Sequence, residues 1–286
     1  VFNYKPPDLP PIAAAYDAGK QLGYDNDTIL DTLIEAYITP RFFNVGYIST
    51  MTKTIGFIGK RGAGKTASMV NVGILDYLIR NRPVFSNIDI EVRVVYKDLE
   101  RIYRSQRLST NDILSLAVEG KRGAVLIDEI NMSVAEATRY MSGANLEFSY
   151  NMQQVRKFGL DILWTAQGWE WVDNRTRWQT DFVVICRDAF LDRERKSPAK
   201  CLGDYSYWRV CDMSGLGGIF EEQYGLERKY VVEYEIWHGD IWNRPIWAAY
   251  DTSERQGKEN YIESYKEKKQ WEKTVRKFEL SLAKEM

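Results

Sequence analysis

Two hydrophobic periods alternate along the chain. Thr54-Ile55-Gly56-Phe57-Ile58, Gly123-Ala124-Val125-Leu126-Ile127, Asp161-Ile162-Leu163-Trp164-Thr165-Ala166 and the stretch from Asp181 to Arg187 are short and almost continuously apolar. Such runs mark strands buried on both faces. Helical spacing appears in between. Val70, Ile74, Tyr77 and Leu78 share one face after the first run, and Ile29, Leu33, Ile34 and Tyr37 share one within Asp25 to Tyr37. The segments Lys97 to Leu108, with Leu99, Ile102 and Tyr103 on one side, and Thr110 to Glu119, with Ile113, Leu114, Leu116 and Ala117, also predict helices. Arg82-Pro83-Val84-Phe85-Ser86-Asn87-Ile88-Asp89-Ile90 reads as a turn entering a strand, and the alternation of Tyr205 to Cys211 and of Lys229 to Trp237 suits late strands. Strand and helix alternate as a mostly parallel central sheet flanked by helices requires, so the expected class is α/β.

The ends differ from the middle. Pro6, Pro7, Pro10 and Pro11 favour an extended arm over residues 1 to 11, and Met51 stands just before the first apolar run. Residues 1–50 are therefore read as an N-terminal appendage, a Pro-rich arm and a short helix, with the core over 51–252. From Lys258 onward the chain becomes rich in Lys and Glu, with Trp271, Val275, Phe278 and Leu282 in a narrow stripe. That pattern predicts a charged C-terminal helix, 253–286, docked on another surface or subunit.

At 286 residues the chain can bury a substantial core. Its 39 basic and 40 acidic residues leave a net charge of −1, so contact with nucleic acid must come from a local basic patch and not from the overall field. The cysteines Cys186, Cys201 and Cys211 lack C-x-x-C spacing and His238 is the only histidine, which argues against a structural zinc site and fits a reducing compartment. Cys186, inside an apolar run, reads as a buried small thiol. No apolar run approaches the ~18 residues of a membrane span, and the N-terminus lacks a signal-peptide pattern, so the expectation is a soluble chain.

The candidate chemistry lies where two apolar runs end. Gly59-Lys60-Arg61-Gly62-Ala63-Gly64-Lys65-Thr66 fits G-x-x-x-x-G-K-[ST] without a mismatch, between a strand and a helix. Glycines let successive backbone N–H groups turn inward onto phosphate oxygens at a helix N-terminus. Lys65 would reach the β and γ phosphates and Thr66 would ligate Mg²⁺. The second run ends in Asp128-Glu129, a Walker B signature. Asp128 would hold Mg²⁺ through its water shell, and Glu129 would polarise the attacking water of ATP hydrolysis. A GTPase would show N-K-x-D, which is missing. A small-molecule kinase could use the same loop, but Glu129 suits activation of water better, and a nucleotide-gated scaffold without hydrolysis would need no Glu129.

Other candidates are ambiguous as residues. Gln167 ends a strand and could sense the γ-phosphate or be an ordinary turn residue. Arg156 could act across a subunit boundary or be a surface arginine before a turn. Trp169, Trp171, Arg175, Arg177 and Trp178 could stack bases, but core or interface packing is the preferred reading. Arg187, Arg193, Arg195, Lys196 and Lys200 lie in a charged excursion that is either a solvated loop or faces DNA.

Walker A, Asp128-Glu129, Ser86-Asn87-Ile88, Arg156-Lys157-Phe158-Gly159-Leu160-Asp161-Ile162, Thr165-Ala166-Gln167 and Tyr250-Asp251-Thr252 together resemble the FtsK/HerA superfamily of DNA-pumping ATPases. Within it the chain is similar to viral genome-packaging ATPases and to the zonula-occludens-toxin-like assembly ATPases of filamentous phages, over residues 52 to 252. The resemblance implies a RecA-like P-loop NTPase sheet, a hexameric ring with nucleotide at subunit interfaces, Gln167 as a sensor and Arg156 as the arginine supplied in trans. It implies a motor that moves double-stranded DNA into a preformed capsid, with capsid vertex or portal proteins as partners. The site of action would be the host cytoplasm or a virion's packaging vertex. The alternative is a phage assembly ATPase that drives extrusion of single-stranded DNA virions; the expected absence of a membrane span leans toward packaging.

Overall fold

The computed structural model describes residues 2–4, 9–37, 52–107, 123–130, 150, 157, 159–190, 205–213, 231–237 and 246–251. Its centre is an eight-stranded sheet built on β2 (Thr54–Ile58), β3 (Val84–Ser86), β6 (Gln106–Arg107), β7 (Gly123–Ile127), β8 (Leu160–Ala166), β9 (Phe182–Asp188), β10 (Tyr205–Asp212) and β11 (Val231–Trp237). The spatial order is β11-β10-β9-β2-β8-β7-β3-β6, parallel from β9 to β6, with β10 and β11 added antiparallel at one edge. This is the mostly parallel α/β sheet that the apolar runs predict. A smaller sheet, β1-β4-β5, contains β1 (Phe2–Tyr4), β4 (Glu91–Tyr96) and β5 (Leu99–Arg104).

Alternation along the central strands feeds two cores. On one face Ile55, Phe57, Leu126, Leu163 and Val184 join residues of α3 (Lys65–Val72) and of the small sheet; on the other Ile58, Val125, Ile127, Ile162 and Val183 join Trp164, Trp169 and Val172. Both faces are covered, which is why β2, β7 and β8 are buried throughout their length. After α3 the helix loosens into a π-helical turn, Gly73–Tyr77, and a 3₁₀ turn, Leu78–Arg80.

The N-terminal segment is woven into this core. The helices α1 (Pro10–Gln21) and α2 (Asn26–Tyr37) bury Ile12, Ile29, Leu30, Leu33 and Ile34 in the same apolar cluster as Val70 and Leu126. Asp25 caps α2, accepting from the Thr28 backbone N–H at 2.8 Å and its hydroxyl at 2.7 Å. Arg101 of β5 pairs with Asp27 and Asp31, Lys20 with Asp98, and Arg80 with Glu35. The helix expected over Asp25 to Tyr37 is therefore present.

Two expectations are corrected. The proline-rich start is not an extended arm throughout: Phe2–Tyr4 is a strand parallel to β4, and Pro10 and Pro11 open α1. Proline suits the first helical turn because its missing N–H would have no partner there. The helix expected over Lys97 to Leu108 is not present over Lys97 to Arg107, the part of it that is described. The first part of that segment is β5, paired antiparallel to β4 through a tight turn at Lys97 and Asp98, with Lys97 at φ 51°. Leu99 and Tyr103, four apart, share a face in a helix and in a strand alike. Ile102 distinguishes the two, and it lies on the outer face, 45% exposed. Thr110 to Glu119 and the C-terminal helix over 253–286 lie outside the described residues.

Candidate nucleotide site

The parallel strands bring their carboxyl ends to one edge of the sheet, and the candidate chemistry collects there. β2 runs into Gly59–Thr66, β7 into Asp128-Glu129, β8 into Gln167 and β3 into Asn87. Because β8 lies between β2 and β7, the phosphate loop and the acidic pair face each other across one intervening strand.

The loop has the conformation its glycines allow. Gly62 and Gly64 stand at φ 81° and 80°, a left-handed backbone that side chains with a Cβ resist, and α3 begins at Lys65 directly after them. Lys60 and Arg61 are exposed, Ala63 is buried, and the ammonium of Lys65, a largely buried residue, lies 3.4 Å from the Lys60 carbonyl inside the loop's curve. Thr66 Oγ1 donates to Asp128 Oδ1 at 2.8 Å, so the two residues expected to hold a metal meet across the strands. A hydroxyl beside one carboxylate, close to a loop built for phosphates, is a hard oxygen set of the kind Mg²⁺ takes when nucleotide and water complete its shell. Among the described residues no group of three or more His, Cys, Asp or Glu side chains is placed to hold a metal ion.

Asp128 and Glu129 are held from both neighbouring strands. Asn87, at the end of β3, accepts from the Asp128 backbone N–H at 2.8 Å and donates its amide to the Asp128 carbonyl at 3.0 Å. Thr165 of β8 accepts from the Glu129 N–H at 2.8 Å and donates to Asp128 Oδ1 at 2.6 Å. Glu129 itself is left-handed, at φ 46°, a conformation that costs a non-glycine residue about 1–3 kcal/mol. The Gln167 amide reaches Glu129 Oε1 at 3.4 Å, so the strand-end glutamine and the acid expected to activate water stand together. Tyr250, bridged antiparallel to Ile90, has its phenol pushed well up by burial, and the Asp128 carboxylate adds to the shift.

Asn87 and Thr165 lie in segments that carry the resemblance, Ser86-Asn87-Ile88 and Thr165-Ala166-Gln167, but neither shows a role of its own in the sequence. The signal available in the sequence is a hydrophilic residue inside or just beyond an otherwise apolar strand, where a buried hydroxyl or amide needs a partner.

The remaining candidates separate. Arg156 lies outside the described residues, as do Arg193, Arg195, Lys196 and Lys200. Arg175 pairs with Asp173 at 3.6 Å, and Arg177 bonds Asn174 and lies over the Trp169 ring, so both engage their own chain. Trp169 is core, stacked on Trp164, whereas Trp171 and Trp178 are 49% and 65% exposed. Cys186 is buried and its thiol is pushed up to about 12, in keeping with a structural thiol.

A parallel sheet with Walker A after one strand, Walker B after another and a third strand between them defines a P-loop NTPase fold. The Zonular occludens toxin (Zot) family model matches residues 54–191, just under half of the chain, from the Walker A strand to just beyond β9. The resemblance to zonula-occludens-toxin-like ATPases is borne out over that span. Among solved structures, the N-terminal domain of zonular occludens toxin from Neisseria meningitidis is 15% identical with a TM-score of 0.42, covering 70% of this chain and 100% of that one. The genome packaging NTPase B204 from Sulfolobus turreted icosahedral virus 2, in complex with AMPPCP, is 12% identical with a TM-score of 0.36, covering 56% of this chain and 92% of that one. The AAA domain of FIGL-1 in complex with ADP is 13% identical with a TM-score of 0.30, covering 48% and 46%. No curated protein matches in sequence.

Proposed function

We propose that this chain is an ATP-hydrolysing motor of phage or virus assembly, and that it drives double-stranded DNA into a preformed capsid. The observation that carries the hydrolytic part is the meeting of Thr66 with Asp128 at 2.8 Å, with Glu129 and Gln167 alongside. The loop Gly59–Thr66 takes the phosphates on its backbone N–H groups, and Lys65 offsets charge on the β and γ phosphates. Thr66 and Asp128 would hold Mg²⁺, which would supply charge neutralisation for the transferred phosphoryl group. Glu129 accepts the proton of the attacking water as its oxygen bonds to the γ-phosphorus; the bond to the bridging oxygen breaks, and ADP and inorganic phosphate leave. Gln167 orients Glu129 and reads the γ-phosphate.

The motor reading rests on the resemblance carried by the segments from Ser86 to Thr252. It takes residues 51–252 as the ATPase core, with 1–50 and 253–286 as the segments flanking it. In this reading the chain works as a ring, in number a hexamer, with Arg156 entering the neighbouring site. It acts in the host cytoplasm or at a virion vertex beside capsid or portal proteins. Among the described residues no helix is long and apolar enough to cross a membrane. A second reading, extrusion of single-stranded DNA virions, belongs to the zonula-occludens-toxin-like side of the same resemblance, the side that the family model over 54–191 matches.

The test couples hydrolysis to movement. Glu129→Gln should still bind ATP while turnover falls about a hundredfold or more with loss of the general base. Near wild-type turnover in that variant would remove Glu129 from the mechanism. Displacement of a third strand from duplex DNA, driven by ATP, would support packaging. Stimulation by single-stranded DNA alone would favour extrusion, and hydrolysis with no response to either DNA would count against a motor.

A further inference from the structure

We propose that Asn87 and Thr165 are positioning residues that clamp the Asp128-Glu129 turn and set the catalytic aim of Glu129, an inference that rests on the hydrolytic reading above. The strand order makes the clamp possible. β7 lies between β3 and β8, and each neighbour sends one hydrophilic side chain over the end of β7, where the regular ladder stops.

Hydrogen bonds tie the turn down on both sides. The Asn87 amide satisfies the N–H and the C=O of Asp128 at 2.8 and 3.0 Å, and its own backbone N–H donates to the Leu126 carbonyl at 3.3 Å. One side chain thus substitutes for the strand pairing that the turn has lost. Thr165 works differently. Its hydroxyl accepts from the Glu129 N–H and donates to Asp128 Oδ1, forming a chain from the backbone of one carboxylate residue to the side chain of the other. A hydroxyl has a single hydrogen, so this arrangement fixes the two acids relative to each other.

The backbone of Glu129 shows what the clamp holds. At φ 46° a glutamate sits in a region that relaxes toward the right-handed one unless its neighbours forbid it. Such a relaxation would swing the side chain away from Gln167, now 3.4 Å from Oε1, and from the phosphate side of the sheet. Metal and phosphate binding through Thr66, Asp128 and the loop would survive, because Thr66 keeps its own contact with Asp128. Loss of the clamp therefore lowers the rate of the chemical step more than it lowers affinity.

The experiment uses the full chain with Thr165→Val, Thr165→Ser and Asn87→Ala, measuring steady-state hydrolysis, binding of a fluorescent ATP analogue and amide hydrogen exchange at residues 128 and 129. Thr165→Val and Asn87→Ala should lose about 10–100-fold in kcat, as supporting-residue changes do, with analogue affinity within about threefold. Thr165→Ser should recover most of what Thr165→Val loses. The Asp128 amide should exchange about tenfold or more faster in Asn87→Ala, and the Glu129 amide likewise in Thr165→Val. Unchanged kcat in both variants, loss of affinity in step with kcat, or a serine variant as damaged as the valine one would overturn the clamp. If the wild-type chain binds nucleotide without hydrolysing it, the hydrolytic reading fails and the catalytic aim falls with it; unchanged exchange in both variants would overturn the clamp of the turn itself.

Discussion

Replacing Leu30 with alanine asks whether the N-terminal helices are an appendage to the ATPase or a wall of its core. Leu30 is 1% exposed on α2 and belongs to the apolar cluster that also contains Val70 of α3 and Leu126 of β7. Removing a fully buried leucine side chain costs about 2–5 kcal/mol, and a central value of about 3 is reasonable where helices and a sheet meet and collapse is restricted. At about 2–4 °C per kcal/mol for a domain of this size, the melting temperature should fall by about 6–12 °C. The loss should appear in one cooperative transition, detected together by far-ultraviolet circular dichroism, tryptophan fluorescence and nucleotide protection. Asp27→Ala is the contrast. It removes one ion pair to Arg101 from a carboxylate whose side chain is 77% exposed, and should cost no more than about 1 kcal/mol. An early transition confined to the helical signal, with the nucleotide-protected transition unmoved, would refute the reasoning and make α1 and α2 a separate unit.

Asp76→Asn should raise stability at pH 7–8 and change little near pH 4. Burial lifts the Asp76 carboxyl from 3.8 to about 6, against the opposing pull of Lys53, Arg80 and Arg82. With a raised folded pKa, its contribution is full below the unfolded pKa and is lost as pH rises through about 6, a difference of about 3 kcal/mol that urea titrations across this range would register. Trp208→Phe should cost about 1–3 kcal/mol by removing the indole N–H that donates to the buried Ser68 Oγ at 2.8 Å. A double-mutant cycle with Ser68→Ala should recover a coupling of about 1 kcal/mol, and additivity would contradict the bond's importance.

The central sheet was legible because strands buried on both faces must be apolar along their whole length, as Thr54–Ile58 and Gly123–Ile127 are. The small sheet was not. β5 is covered on one face only, and Leu99 with Tyr103 fits either period until the pairing with β4 decides between them. Walker A and Walker B were readable because their chemistry is local in sequence. Asn87 and Thr165 act through strand adjacency, and nothing in a linear pattern says which strands will be neighbours. Pro10 was misleading for a related reason: proline forbids a helix interior but suits a helix start, and only the residues after it decide which applies.

The left-handed backbone at Glu129 also bears on how this sequence should respond to selection. Glycine, and to a lesser degree asparagine, adopts φ 46° readily, so either would relieve a local conflict that glutamate endures. A screen for thermal robustness or soluble expression would reward those replacements and discard the proposed catalytic base without notice. Retention of glutamate at this position is thus informative in a way that retention of a leucine in the core is not, because folding alone gives no reason to keep it.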